Sequence, residues 1–235
     1  EISRCDWSSD VCSSDLSFGD TGAYVSPILI SYKGKRQIIG STAKHVIGVN
    51  PDNGTVEWSF ADWGPKEGKW ANIAPNTPLY KDGKIFFCHG YNINGVMLQL
   101  SDDLKSVSVV WRTDVLDTHH GGYVEVNGTI YGSNWINNNQ GNWCAIDWNT
   151  GAKGYETTWT GGKGKGSIIA ADGMLYCYDE RRGAVALVNP DPAKFDIVSE
   201  FRITKGVGPH WAHPVIVNGV LYIRHGFALM AYKVK

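Results

Sequence analysis

Glu125–Gly132 reads EVNGTIYG, and three other stretches repeat its form: Tyr80–Phe87 is YKDGKIFF, Ala170–Cys177 is AADGMLYC and Ile216–Ile223 is IVNGVLYI. Their turn glycines, Gly83, Gly128, Gly173 and Gly219, stand 45, 45 and 46 residues apart. An earlier copy, Gly34 in SYKGKRQIIG, precedes Gly83 by 49. Each glycine follows Lys, Asp or Asn and separates two short runs of apolar character. Asp-Gly and Asn-Gly at such a point specify a two-residue hairpin, because both central residues must take positive φ. A fixed period of this length marks a tandem-repeat architecture.

Two further short strands follow each hairpin. In the first copy Val46 to Val49 leads into the turn Asn50-Pro51-Asp52-Asn53-Gly54, and Val56 to Phe60 follows. In the third, Trp143 to Asp147 leads into Trp148-Asn149-Thr150-Gly151, and a strand ends near Trp159. The unit is four antiparallel strands in about 46 residues with no helix between them. Repeated in tandem, such a meander is a β-propeller blade, and each blade must pack against its neighbours to bury both faces. The expected fold is all-β, a partial propeller with blades at about 24–60, 73–113, 121–160, 166–203 and 212–235. The last blade is expected to hold three strands, His213 to Val217, Val220 to Arg224 and Ala228 to Tyr232. Rings of this kind close when a strand from the other terminus completes the final blade, so the expected partner is an N-terminal strand outside this chain.

The turn between third and fourth strands carries a family likeness. It resembles the PQQ (quinoprotein) repeat, Ala-x-Asp-x-x-Thr-Gly-x-x-x-Trp. Ala145, Asp147, Thr150 and Gly151 keep that spacing, with Tyr155 in the Trp position; Gly48, Asn50, Gly54 and Trp58 are the corresponding residues of the first copy. The second and fourth copies retain chiefly Trp111 and Phe201. The physics of these residues is structural: Asp and Thr bond their own turn, Gly supplies positive φ, and the aromatic wedges between blades. The resemblance implies a ring of eight blades, of which missing N-terminal blades would make up about half, and a periplasmic or secreted location. The Trp-Asp signature of WD repeats and the double glycine of kelch repeats are absent.

Composition agrees with short strands and turns: 28 Gly, 10 Trp and 11 Tyr among 235 residues, but only 3 Met. A net charge of −1 gives no reason to expect a nucleic-acid partner. No apolar run approaches the roughly 18 residues of a transmembrane helix. Residues 1–16, EISRCDWSSDVCSSDL, follow neither the repeat nor any apolar period. They resemble translated sequencing-adapter read-through, and are set aside as a disordered leader. Cys88, Cys144 and Cys177 are odd in number and widely spaced, which reads as buried free thiols.

Loop length selects one face of the expected disc. The first-to-second and third-to-fourth turns are tight, while the second-to-third loops and the blade-to-blade connections are long. The connections hold Trp63 and Trp70, then Asp114, Asp117, His119 and His120, then Lys163 and Lys165, then His210, Trp211 and His213. The loops within blades hold Tyr91, Asn92 and Asn94, then Trp135 and Asn137 to Asn139, then Glu180, Arg181 and Arg182. Long loops on a rigid scaffold are where binding residues gather, so this face is the expected site for a small-molecule ligand or a protein partner.

Two chemistries can be weighed from these residues. A zinc or copper site needs three or four converging ligands, and His119-His120 with His210 and His213, two blades apart, do not supply that set; no metal is expected. The family resemblance raises pyrroloquinoline quinone (PQQ) with Ca²⁺ as a possible cofactor of a longer protein. That would need an aromatic floor (Trp211 or Trp135), cations for three carboxylates (Arg181, Arg182, Lys165) and a carboxylate base (Asp117 or Glu180). The adjacent cysteine pair of quinoprotein alcohol dehydrogenases and any Cys-x-x-Cys-His haem motif are absent. A binding scaffold is therefore the preferred reading, ahead of a quinoprotein alcohol dehydrogenase of the polyvinyl-alcohol dehydrogenase kind.

Overall fold

The tandem hairpins form as their turn residues dictate. In a computed structural model, which describes residues 19–64 and 73–234, all five take positive φ at both central positions. The pairs are Lys33 and Gly34 (49° and 77°), Asp82 and Gly83 (49° and 79°), Asn127 and Gly128 (51° and 83°), Asp172 and Gly173 (50° and 73°), and Asn218 and Gly219 (49° and 71°). This is the mirror-image turn whose twist matches that of the flanking strands. The leader and Trp70 lie outside the described residues.

The described residues form nineteen strands in five antiparallel sheets. The first sheet is β1 (Ile28–Tyr32), β2 (Lys35–Ser41), β3 (Val46–Val49) and β4 (Val56–Phe60). The second is β5 (Leu79–Lys81), β6 (Lys84–Phe87), β7 (Gly95–Leu100) and β8 (Val107–Thr113). The third is β9 (Tyr123–Val126), β10 (Thr129–Ser133), β11 (Trp143–Asp147) and β12 (Lys153–Thr157). The fourth is β13 (Gly166–Ala171), β14 (Met174–Asp179), β15 (Ala184–Asn189) and β16 (Asp196–Arg202). The fifth has three strands, β17 (Val215–Val217), β18 (Val220–His225) and β19 (Ala228–Lys233). Strand order follows chain order in every sheet. The expected all-β arc of four four-stranded blades and one three-stranded blade is what forms. The bounds of the last blade shift: its first strand begins at Val215 rather than His213, after Pro214, whose ring nitrogen has no proton to donate to a ladder, and the other two run one residue further, to His225 and Lys233.

Period-2 alternation on the second strands joins the blades. Phe87 packs with Ile30, Ile39, Val46 and Trp58 of the first blade, while adjacent Phe86 packs with Tyr123, Ile130 and Cys144 of the third. Tyr131 faces Ile168, Leu175 and Cys177 of the fourth, and Tyr176 and Tyr178 face Leu221 and Ile223 of the fifth. Each central strand thus feeds two interfaces, which is why it reads as a nearly continuous apolar run. In all four complete blades the register between the third and fourth strands slips once: at Gly48/Val49, Met97/Leu98, Ala145/Ile146 and Leu187/Val188. A bulge at that point bends and further twists the outer strand.

The aromatic wedges sit at these seams. Trp58 lies directly over Gly48, where a Cβ would overlap its indole. Its Nε1 donates to Gln37 Oε1 (2.9 Å), and Gln37 Nε2 donates to Leu104 O (2.8 Å) in the next blade. Trp111 covers Gly151 of the following blade and donates to Trp148 O (3.2 Å). Asp147 Oδ1 accepts from Asn149 N, Thr150 N and Thr150 Oγ1 (2.9, 2.7 and 2.8 Å), holding the turn closed. Tyr155 is buried against Phe195. A Lys84–Asn149 hydrogen bond (3.1 Å) and another from Trp148 N to Gly128 O (2.9 Å) place the tight turns on one face.

Candidate functional site on the long-loop face

The opposite face is knitted by Asp117. It is buried, and its two carboxylate oxygens accept from Asn92 N (2.8 Å) and Trp135 N (3.0 Å). One side chain on the β8–β9 connection thereby fixes the β6–β7 and β10–β11 loops. Charged acceptors of backbone N–H groups are strong, so Asp117 acts as a staple across three loops.

His119 and His120 follow on the same connection. The chain bends there, and two glycines come next: Gly121 is pressed so close to Gly166 that a Cβ would overlap its carbonyl, and Gly122 has φ +69°. The bend brings both imidazoles to one side, with ring centroids 4.5 Å apart. His119 Nε2 bonds to the Tyr91 hydroxyl (2.7 Å), and Tyr91 in turn packs on Trp135 (5.2 Å). His120 packs edge-on to Trp211 (5.2 Å), which stays half exposed.

Glu180 arrives from the β14–β15 loop. Its Oε2 lies 3.1 Å from His120 Nε2, and its Oε1 takes a very short hydrogen bond from Lys165 Nζ. Lys165 is buried and also donates to Asn138 O (3.0 Å). Burial opposes ionisation of Glu180, but the facing His120 and Lys165 outweigh it and hold the carboxyl below its usual range. Burial, with repulsion from His120 and Lys165, pushes His119 down to about 4. The group therefore presents a carboxylate and a neutral imidazole. One ring nitrogen there, His119 Nδ1, is buried with no hydrogen-bond partner.

The remaining expected residues are divided. His213 is exposed and reaches the pair only through His120 O (2.8 Å). His210 belongs to a second cluster: it bonds to Tyr178 Oη (2.5 Å) and stacks on His225 (3.6 Å between centroids, 23° between planes). Arg181 donates to Asn139 O (3.2 Å), and Arg182 is exposed. The structure keeps His119 and His120 apart from His210, and each group meets a partner that the sequence did not indicate. The partner of His119 and His120 is Glu180, and His210 turns to His225, which was not among the expected site residues. Tyr91 was on the face, but its tie to His119 had no signal in the sequence.

A cleft of about 430 Å³ opens beside this group, lined by Tyr24, Asn76, Tyr123, His120 and His213 among others. A cleft of about 470 Å³ lies on the tight-turn side between the first two blades. The charges lining that one already pair with one another, Arg36 with Asp52 (2.9 Å) and Lys105 with Glu57 (3.6 Å). The first is the better candidate.

The described residues do not fit a PQQ–Ca²⁺ site. Calcium requires six to eight oxygen ligands, and the converging donors here are two imidazoles and one carboxylate held by a lysine. Lys165 and Arg181, two of the cations expected to meet quinone carboxylates, are committed to Glu180, Asn138 and Asn139.

No protein-family model matches the chain, and no curated protein matches it. Solved structures do. BamB from Moraxella catarrhalis superposes with a TM-score of 0.67 at 14% identity, over 89% of this chain and 58% of that one. Quinohemoprotein alcohol dehydrogenase from Comamonas testosteroni gives 0.64 at 11%, over 87% and 40%. A europium-containing methanol dehydrogenase gives 0.60 at 13%, over 86% and 49%. The chain spans between 40% and 58% of the length of these three structures. At such identities the likeness shows the fold alone: this chain is an arc of antiparallel β-propeller blades.

Proposed function

We propose that the chain is a propeller scaffold that binds a polar ligand or a protein partner through its long-loop face, in a periplasmic or secreted setting. One observation carries this: Tyr91, His119, His120, Glu180 and Trp211, from four separate loops and connections, converge beside an open cleft on that face. The blades below share packed cores and Asp117 ties the loops together, which is the arrangement that favours recognition. The structural likeness to BamB supports a protein partner but extends to the fold only.

The second reading is a quinoprotein alcohol dehydrogenase, favoured by the likeness to two dehydrogenase structures. The poor fit of the donor set to PQQ and Ca²⁺ weighs against it. Titrating the purified chain with PQQ and Ca²⁺, and assaying dye-linked alcohol oxidation, separates the two. The scaffold reading expects neither quinone absorbance nor oxidation. It also expects a cross-linked partner that is lost with Trp211→Ala or Arg181→Glu and kept with Arg36→Glu on the other face. Quinone binding with turnover, or a partner lost only with Arg36→Glu, would overturn it.

A further inference from the structure

We infer that His119, His120 and Glu180 form a binding site for one divalent transition-metal ion of the zinc class. Among the described residues, these three offer ligand atoms that all lie within 4.8 Å of one another. Tetrahedral zinc with bonds of about 2.0–2.2 Å holds its ligands about 3.4 Å apart, so a closure of up to about 1.4 Å, within side-chain reach, brings the three onto one ion.

Four features distinguish this group from a chance meeting of polar side chains. His119 Nδ1 is buried without a hydrogen-bond partner, a costly condition that a metal relieves, and His120 Nε2 already faces the Glu180 carboxylate at 3.1 Å. The opposite nitrogen of His119 is held by the Tyr91 hydroxyl, as the outer ring nitrogen of a metal-bound histidine is held. Glu180 is oriented by Lys165 through one oxygen while the other faces the imidazoles. The Gly121-Gly122 pair allows the bend that turns two consecutive histidines to the same side.

The donor set decides the ion. Two imidazoles and one carboxylate suit zinc, and also copper, nickel or iron, but not calcium or magnesium, which take oxygen ligands. Three protein ligands leave one position free, the arrangement of an open site. His120 lines the adjacent cleft, so that position is reachable from solvent. The inference extends the scaffold reading and does not depend on it, since the metal would bind whether or not a partner does.

The test uses the full 235-residue chain, stripped with chelator and titrated separately with Zn²⁺ and Co²⁺. One equivalent per chain is expected, together with a rise in unfolding temperature and a visible Co²⁺ spectrum of low coordination number. His120→Ala and Glu180→Gln should each weaken binding by about tenfold or more, which is at least the effect of losing a residue that merely orients a ligand. The double variant Cys5→Ser/Cys12→Ser should bind as the parent does, and so should His45→Asn, which removes a first-blade imidazole paired with Asp20 (2.7 Å). Circular dichroism and metal-free melting show whether each variant is folded; if Glu180→Gln fails that check, His119→Gln takes its place. Equal affinity in folded His120 and Glu180 (or His119) variants, loss of binding in the cysteine variant, or no stoichiometric binding would overturn the site. Partner capture measured on the same His120→Ala protein keeps failure of the metal site distinct from failure of the scaffold reading.

Discussion

Lys165 and Glu180 form an ion pair inside the protein, with side chains only 2% and 6% exposed. The two residues come from a blade-to-blade connection and from a loop within the next blade. Breaking such a pair by removing one partner leaves an uncompensated charge and costs about 3–5 kcal/mol, whereas removing both costs less. Lys165→Met, measured by denaturant unfolding in the presence of chelator, is therefore expected to lose about that much stability. Lys165→Met/Glu180→Gln should recover part of it, and a double variant no more stable than Lys165→Met would show that the pair does not set the cost.

Two glycines of the same blade should respond differently to alanine. Gly121 has no room, because a Cβ would overlap the Gly166 carbonyl, which is backbone and cannot swing aside. Gly128 has open space around it but φ of +83°. Gly128→Ala should cost about 1 kcal/mol from its left-handed backbone alone. Gly121→Ala should cost about 1–3 kcal/mol from overpacking and should also shift the histidine ring signals in NMR spectra, because it moves their connection. Equal losses with unmoved histidine signals would contradict this.

His89 gives the fold a dependence on acid. It is fully buried, its Nδ1 lies 3.1 Å from Ile73 O, and burial pushes its pKa down from 6.5 to about 4, a little offset by that hydrogen bond. The unfolded chain therefore binds a proton that the folded chain refuses between about pH 6.5 and pH 4. Stability from this residue is complete above that window and falls as pH drops through it, by about 1.4 kcal/mol per pH unit. His89→Asn should flatten the curve of unfolding free energy against pH by close to one proton in that range. An unchanged slope would show that His89 does not titrate as burial dictates.

Cys88, Cys144 and Cys177 are free and buried, and burial raises the pKa of each thiol. Thiolates are the reactive form, so none of the three should react with iodoacetamide in the native protein. Peptide mapping after labelling at pH 8 should find all three unmodified, and modified once denaturant is added. Labelling of Cys177 in the native state would mean that the interface between the third and fourth blades opens.

The local part of this architecture is legible in the chain because its causes are local. Asn127-Gly128 and its four counterparts specify their hairpins through the φ angles they can adopt, and the β-rich runs on either side alternate with the pleat. Asp147 and Thr150 close a turn with their own backbone. A period near 46 residues then carries the blade count. The candidate site is legible only as a face, since loop length shows where chemistry-bearing residues can gather but not which of them meet.

What the tertiary structure alone decided is the grouping. Glu180 lies 60 positions after His120 and follows a different strand, yet the packing of the third blade on the fourth puts its carboxylate 3.1 Å from the imidazole. The same packing sends His210 to His225 and commits Asp117 to two backbone N–H groups, residues that by type alone were equally good ligands or bases. Turn chemistry acts over a few residues and is written where it acts. Convergence on the long-loop face depends on how each blade rotates against the next, and that rotation is set by large interlocking side chains such as Phe86, Tyr123 and Trp143 rather than by any residue of the site.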